Sequence, residues 1–155
     1  MTLPDIGDPA PDFTLAGDTG PIRLADFAGR KLVLYFYPKD DTPGCTTEGK
    51  DFSALHDAFA ATDTGVVGVS REPVASKAKF RAKHGLTIAL GADDDGAVTE
   101  AYGVWVEKSM YGKKYMGIER TTLLINRGGR VARVWRKVKV PGHAAEVLAA
   151  AQALD

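Results

Sequence analysis

The sequence predicts an α/β protein, a mixed β-sheet with helices on both faces. Two observations carry that expectation. Short apolar runs alternate with segments of helical spacing through most of the chain. The last two strand-like runs are joined by a turn around Gly128-Gly129, far too short for a crossover, so they must pair antiparallel. At 155 residues the chain fits one domain, 1–155, around a single sizeable core.

Each element has its own reason. Phe13 to Leu15 and Pro21 to Leu24 flank Gly17-Asp18-Thr19-Gly20 and read as a hairpin. Leu32 to Tyr37, LVLYFY, is a continuous apolar run, the pattern of a strand buried on both faces. Phe52, Leu55 and Phe59 give Cys45 to Ala60 a helical period. Gly65 to Ser70 reads as the next strand, and Pro73 to His84 as a helix closed by Gly85. A short strand near Ile88 to Leu90 precedes a helix from Gly96 to Tyr102. Thr121 to Asn126 is an apolar strand, Val131 to Val138 returns beside it, and an Ala-rich helix runs from about Gly142 to Leu154.

Composition narrows the function classes. Lys plus Arg and Asp plus Glu number 20 each, so the formal charge is zero, and nothing points to a polyanion or an acidic membrane surface as partner. The start, MTLPDIGDPAPDF, lacks the basic and apolar segments of a signal peptide, and Leu32 to Tyr37 is too short to span a bilayer. A cytoplasmic protein is expected. The chain has one cysteine, which excludes an internal disulfide and a cysteine-rich zinc site. A lone cysteine is either inert core or a reactive thiol.

The segment around Cys45 favours reactivity. Pro38-Lys39-Asp40-Asp41-Thr42-Pro43-Gly44-Cys45-Thr46-Thr47-Glu48 joins the buried strand to the next helix. Thr42 suits an N-cap and Pro43 the first helical position, which places Cys45 in the first turn. Free N–H groups and the positive end of the helix dipole favour an anion there, so the Cys45 pKa is expected to fall. A thiolate attacking a peroxide also needs donors that hold the peroxide in line and stabilise the leaving oxygen. The backbone near Gly44 and Cys45, the Thr42 hydroxyl and a fixed guanidinium can supply them.

These residues resemble the active-site loop of peroxiredoxins, Pro-x-x-x-Thr/Ser-x-x-Cys, matched by Pro38, Thr42 and Cys45. The flanks YFYPKDDTPGCTTE, the run VEKSMYGKKYMGIERTTLLIN and the ending WRKVKVPGHAAEVL are similar to the bacterioferritin-comigratory, or Q-type, subfamily. The resemblance implies a thioredoxin-like fold with an added N-terminal hairpin. It also implies a peroxidase reducing hydrogen peroxide and organic hydroperoxides without a cofactor or metal. By position, Pro38 would shield the sulfur, Thr42 and Cys45 would bind and attack peroxide, Arg120 would activate both, and Glu48 would orient Arg120. Many Q-type members place a resolving cysteine five residues after the catalytic one, where this chain has Lys50; others place it in the helix matching Pro73 to His84, which has none here. The sulfenic acid would then be met by an external thiol, either a small molecule or a thioredoxin- or glutaredoxin-like protein. A monomer or weak homodimer is expected.

Rival readings remain at single residues. Arg120 can be a surface arginine paired with Glu119, and Glu48 a first-turn acid complementing the dipole. Asp93-Asp94-Asp95-Gly96 fails the calcium-loop pattern and reads as a turn with an N-cap. His56, His84 and His143 lack metal spacing, and only His143 is a candidate partner for a cysteine hydrolase. Trp105, Met110, Tyr111 and Tyr115 are either packing residues or a collar or contact surface beside the site. A thioredoxin-fold redox sensor or adaptor is the alternative function, since it needs the same thiol; retention of Pro38, Thr42, Cys45 and Arg120 together favours the peroxidase.

Overall fold

The computed structural model describes residues 3–155; Met1 and Thr2, the first two residues of the start read above, lie outside the described residues. The expected N-terminal hairpin forms from β1 (Thr14–Gly17) and β2 (Ile22–Arg23), with Leu15 opposite Ile22. After a 3-10 turn, Leu24–Phe27, comes β3 (Lys31–Phe36), buried at every position. The chain continues through α1 (Pro43–Ala54), α2 (His56–Ala61), β4 (Thr64–Ser70), α3 (Val74–His84), β5 (Ala89–Ala92) and α4 (Ala97–Ala101). It ends with β6 (Trp105–Met110), β7 (Lys113–Ile118), β8 (Thr121–Ile125), β9 (Val131–Trp135) and α5 (His143–Ala153).

Seven strands form one sheet in the order β2-β1-β5-β4-β3-β8-β9. β3, β4 and β5 are parallel, while β8 and β9 are antiparallel to their neighbours, so the sheet is mixed as the pattern predicts. Alternation along β3 builds two cores. Leu32, Leu34 and Phe36 face Val98 and Tyr102, at α4, and the N-terminal hairpin. Val33 and Tyr35 face Phe52, Phe59, Phe80 and Val147, from α1, α2, α3 and α5. Four helices therefore cover one face and one helix the other. This is a thioredoxin-like arrangement of mixed sheet and flanking helices.

One glycine sets the seat of α1. A Cβ on Gly68 would fall 2.6 Å from the Tyr35 ring, so its absence lets that ring lie over β4 and stack on Phe52 with centroids 4.7 Å apart.

The structure departs from the sequence reading in four places. The helix expected over Cys45 to Ala60 starts at Pro43, where Thr42 and Pro43 put its first turn, but breaks at Leu55. The break coincides with a tertiary contact: the Ser53 side chain accepts from the Thr87 N–H, and the Ser53 carbonyl accepts from the Thr87 hydroxyl. The strand expected near Ile88 to Leu90 is Ala89–Ala92. The last strand stops at Trp135, two residues before Lys137 takes a left-handed conformation. Finally, β6 and β7 form a separate two-stranded ribbon that the sequence reading omitted. Its turn residues, Tyr111 and Gly112, both have positive φ (53° and 77°), the requirement of a type I′ hairpin. Among the described residues no helix is long and apolar enough to cross a membrane.

Candidate active site

The loop from β3 to α1 begins at half-buried Pro38 and ends at Thr42, which has extended backbone at the N-cap position. Pro43 is the first helical residue, so Cys45 is the third. The first helical bond runs from the Thr46 N–H to the Thr42 carbonyl at 2.8 Å. Pro43 has no N–H, and the Gly44 and Cys45 N–H groups precede the ladder and remain free to donate. The Thr42 hydroxyl does not cap the helix. It donates back to the Lys39 carbonyl at 2.8 Å, which leaves its lone pairs to accept from a third group.

Cys45 is a free cysteine with 2% exposure. Arg120, between β7 and β8, reaches it from across the site. Its Nη2 donates to Cys45 Sγ at 3.3 Å, and its Nη1 donates to Glu48 Oε1 at 2.6 Å. Glu48 lies three residues past Cys45, on the same helix face. Gly44 makes room for the guanidinium, since a Cβ there would come within 3.3 Å of Nη2. The pairing of Arg120 with Glu119 does not form: Glu119 is held by both Nε and Nη2 of Arg136 at 3.1 Å.

Burial dominates the electrostatics. It pushes the Glu48 carboxyl up to about 7, against the opposing pull of Arg120. Glu48 Oε2 is buried with no hydrogen-bond partner among the described residues. For Arg120, burial alone would lower the pKa, but Glu48 and the Cys45 sulfur outweigh it and hold the value above the ordinary one. The guanidinium thus serves two acceptors, one oxygen and one sulfur, that face it from a single helix.

Two groups escaped the sequence reading. Asp40, inside the loop, accepts from Tyr37 Oη at 2.5 Å, from Ser76 Oγ at 2.6 Å and from Lys77 Nζ at 3.0 and 3.1 Å. Lys77 is fully buried, and it also meets the Ser70 hydroxyl. Its pKa is lowered by burial, with Asp40 opposing. Asp41, with φ of 59°, accepts from Lys83 and pairs with His84, both at 2.7 Å. Four residues of α3 therefore anchor two consecutive loop residues. The buried Lys77, three residues before the core residue Phe80, was the available signal. The second group is Lys108, whose stem lies over Gly117. Burial and then Arg120 lower its pKa, with Cys45 opposing.

The remaining candidates separate. His143 bonds the Thr122 hydroxyl at 2.8 Å between the rings of Phe52 and Trp135, and burial lowers its pKa. His56 is exposed at the start of α2. Asp93 accepts from the Val98 and Thr99 N–H groups, as expected of a turn that caps a helix. Trp105 packs against the core under Arg71, whereas Met110, Tyr111 and Tyr115 stand exposed on the ribbon. Lys50 is exposed on α1.

A sulfur at a helix start, under a guanidinium and beside a hydroxyl with free lone pairs, can attack an O–O bond and stabilise the oxygen that leaves. Known proteins share this chain's sequence and fold. The AhpC/TSA family model matches residues 6–134. Peroxiredoxin Bcp of Bacillus subtilis is 50% identical over 149 residues, covering 96% of this chain and 94% of the relative. A cysteine-to-serine mutant of Xylella fastidiosa PrxQ superposes with a TM-score of 0.91 at 42% identity, covering 97% of this chain and 96% of the mutant. The Xanthomonas campestris bacterioferritin comigratory protein, solved as trapped intermediate and ligand complexes bearing on its alkyl peroxide reduction activity, gives 0.86 at 48% identity, covering 91% and 90%. This chain therefore belongs to the AhpC/TSA family, among its Bcp and peroxiredoxin Q members, and is a thiol-dependent peroxidase.

Proposed function

We propose that residues 1–155 act as one peroxiredoxin domain in which Cys45 reduces hydrogen peroxide and organic hydroperoxides with help from Thr42, Arg120 and Pro38. The Cys45 thiolate attacks the terminal peroxide oxygen. The O–O bond breaks, the sulfur becomes a sulfenic acid, and the other oxygen leaves with a proton as water or alcohol. The Thr42 hydroxyl accepts from the peroxide while donating to Lys39. Arg120 and the Gly44 and Cys45 amides stabilise charge on the departing oxygen. Pro38 limits access of water to the sulfur, and Glu48 holds Arg120 in position.

With Lys50 where a resolving cysteine would stand, an external thiol condenses with the sulfenic acid, releasing water and forming a mixed disulfide. A second thiol then attacks that disulfide and restores Cys45. The cycle runs in the cytoplasm, on a monomer or weak homodimer.

The observation that carries this reading is the single guanidinium bonded to both Cys45 and Glu48. The experiment is stopped-flow peroxide reduction with dithiothreitol as donor. Cys45→Ser should abolish the reaction, and Arg120→Ala should slow it by about 10²–10³, the scale of losing a preorganised donor. A wild-type rate for Arg120→Ala would remove the arginine from the mechanism.

A further inference from the structure

The chain is neutral overall, yet residues 105–140 hold ten Lys and Arg against two acids. Much of that excess lies on the two segments that adjoin Arg120. Lys108, Lys113 and Lys114 belong to the β6–β7 ribbon, which ends two residues before Arg120. Arg136, Lys137 and Lys139 follow β9 on a segment bonded to Arg120 through the Val138 N–H at 3.0 Å. The two acids are already occupied, Glu107 by Lys114 at 3.6 Å and Glu119 by Arg136. Lys108, Lys113, Lys137 and Lys139 have no ion-pair partner among the described residues.

The same ribbon exposes apolar surface. Tyr111 at its tip is 98% exposed, Met110 56% and Met116 50%. After β9, Arg136, Lys137 and Lys139 line a groove with Trp135 and Pro141, against a single carboxylate, Glu146. Unpaired cations attract an acidic partner, and exposed Tyr and Met gain nothing from water.

We propose that the β6–β7 ribbon and the segment 136–141 form the docking surface for the thiol donor, and that this donor is a protein whose reducing cysteine is rimmed by acidic residues. The inference rests on the thiol-recycled cycle described above, in which every turnover needs an outside thiol brought to a sulfur that is almost fully buried. A basic collar concentrates an acidic partner at that point and orients its cysteine, chiefly by raising the association rate. The exposed Tyr and Met side chains supply apolar contact once the charges have met. A second copy of this chain is a poor occupant, because an isologous contact would set the same cations against themselves.

The test compares two donors on the full chain. Wild type and the Lys113→Glu/Lys139→Glu variant are assayed for peroxide turnover with dithiothreitol, then with a reduced thioredoxin chosen for an acidic rim. The same thioredoxin with that rim neutralised serves as a third donor. Turnover with dithiothreitol should stay within about twofold. With the acidic thioredoxin, the variant's kcat/KM for the donor should fall about tenfold or more, and the wild-type value should fall as salt rises. The neutralised thioredoxin should be poorer with wild type and indifferent to the substitutions.

Equal kcat/KM for wild type and variant overturns the docking surface, as does an equal loss with all three donors. So does an acidic thioredoxin that supports no turnover while dithiothreitol does. Loss of binding to anionic vesicles with donor kinetics unchanged also overturns it, in favour of a lipid surface. Failure of dithiothreitol itself to support wild-type turnover defeats the underlying cycle and is thereby distinguishable.

Discussion

Arg120 divides its donors between Cys45 and Glu48, so the two acidic groups are coupled through one cation. The coupling has a pH signature. Burial raises the Glu48 carboxyl from 4.5 to about 7, so the folded protein keeps this proton in a window where the unfolded chain has lost it. The folded state binds more protons there, and this contribution to stability is fully present below about 4.5 and lost as the pH rises through about 7. Glu48→Gln preserves the shape and cannot ionise. Between pH 5 and pH 8 the urea midpoint of wild type should fall relative to that of Glu48→Gln; parallel midpoints would contradict the buried, proton-retaining carboxyl. At this scale the helix start was legible: the Thr42-Pro43 signal is local and puts Cys45 in the first turn, whereas Glu48 was tied to Arg120 only by the resemblance. Arg120 is 75 residues from Cys45, and only the resemblance linked them. Neither the Thr42 hydroxyl's turn toward Lys39 nor the φ of 59° at Asp41 beside it is announced by any pattern.

Elements meet the site mainly through α3. The Asp40–Lys77 pair is buried, and its worth lies in being complete. Lys77→Met should leave Asp40 an uncompensated buried charge and cost about 3–5 kcal/mol in urea unfolding. Adding Asp40→Asn should recover part of that loss, because no charge then remains unpaired. A Lys77→Met protein as stable as wild type would contradict the anchoring role. A second prediction concerns the seat of α1. Gly68→Ala would place a Cβ 2.6 Å from the Tyr35 ring, so the ring must leave its stack on Phe52, at about 1–3 kcal/mol. An unchanged melting curve would show that the ring has room to move. Strands β3, β4 and β8 were readable because each is a dense apolar run, buried almost throughout. The β6–β7 ribbon was not, since its alternation is of charged and aromatic residues with little buried side. The break at Leu55 was hidden for another reason: it coincides with a tertiary contact to Thr87, 34 residues from Ser53.

The whole molecule joins a seven-stranded scaffold to a lone thiol. The sheet places the end of β3, the start of β8 and the end of β9 at the same end of the strands, with Phe36 beside Thr121 and Thr122 beside Trp135. That is why Cys45, Arg120 and the segment after β9 converge although they are far apart in the chain. With one cysteine, the molecule has no internal thiol to intercept its own sulfenic acid. Excess peroxide without a donor should therefore carry Cys45 on to sulfinic and sulfonic acid, and dithiothreitol present from the start should prevent it. Intact-mass measurement distinguishes the two courses, and a sulfenic acid that survives excess peroxide would contradict the expected vulnerability. The most direct test of Cys45 as the reacting atom is simpler. One equivalent of peroxide is added, the protein is digested, and oxidation is located by mass spectrometry. A sulfenic acid trapped by dimedone is expected on Cys45, with Met110 and Met116 untouched; oxidised methionine beside an unmodified Cys45 would contradict its role.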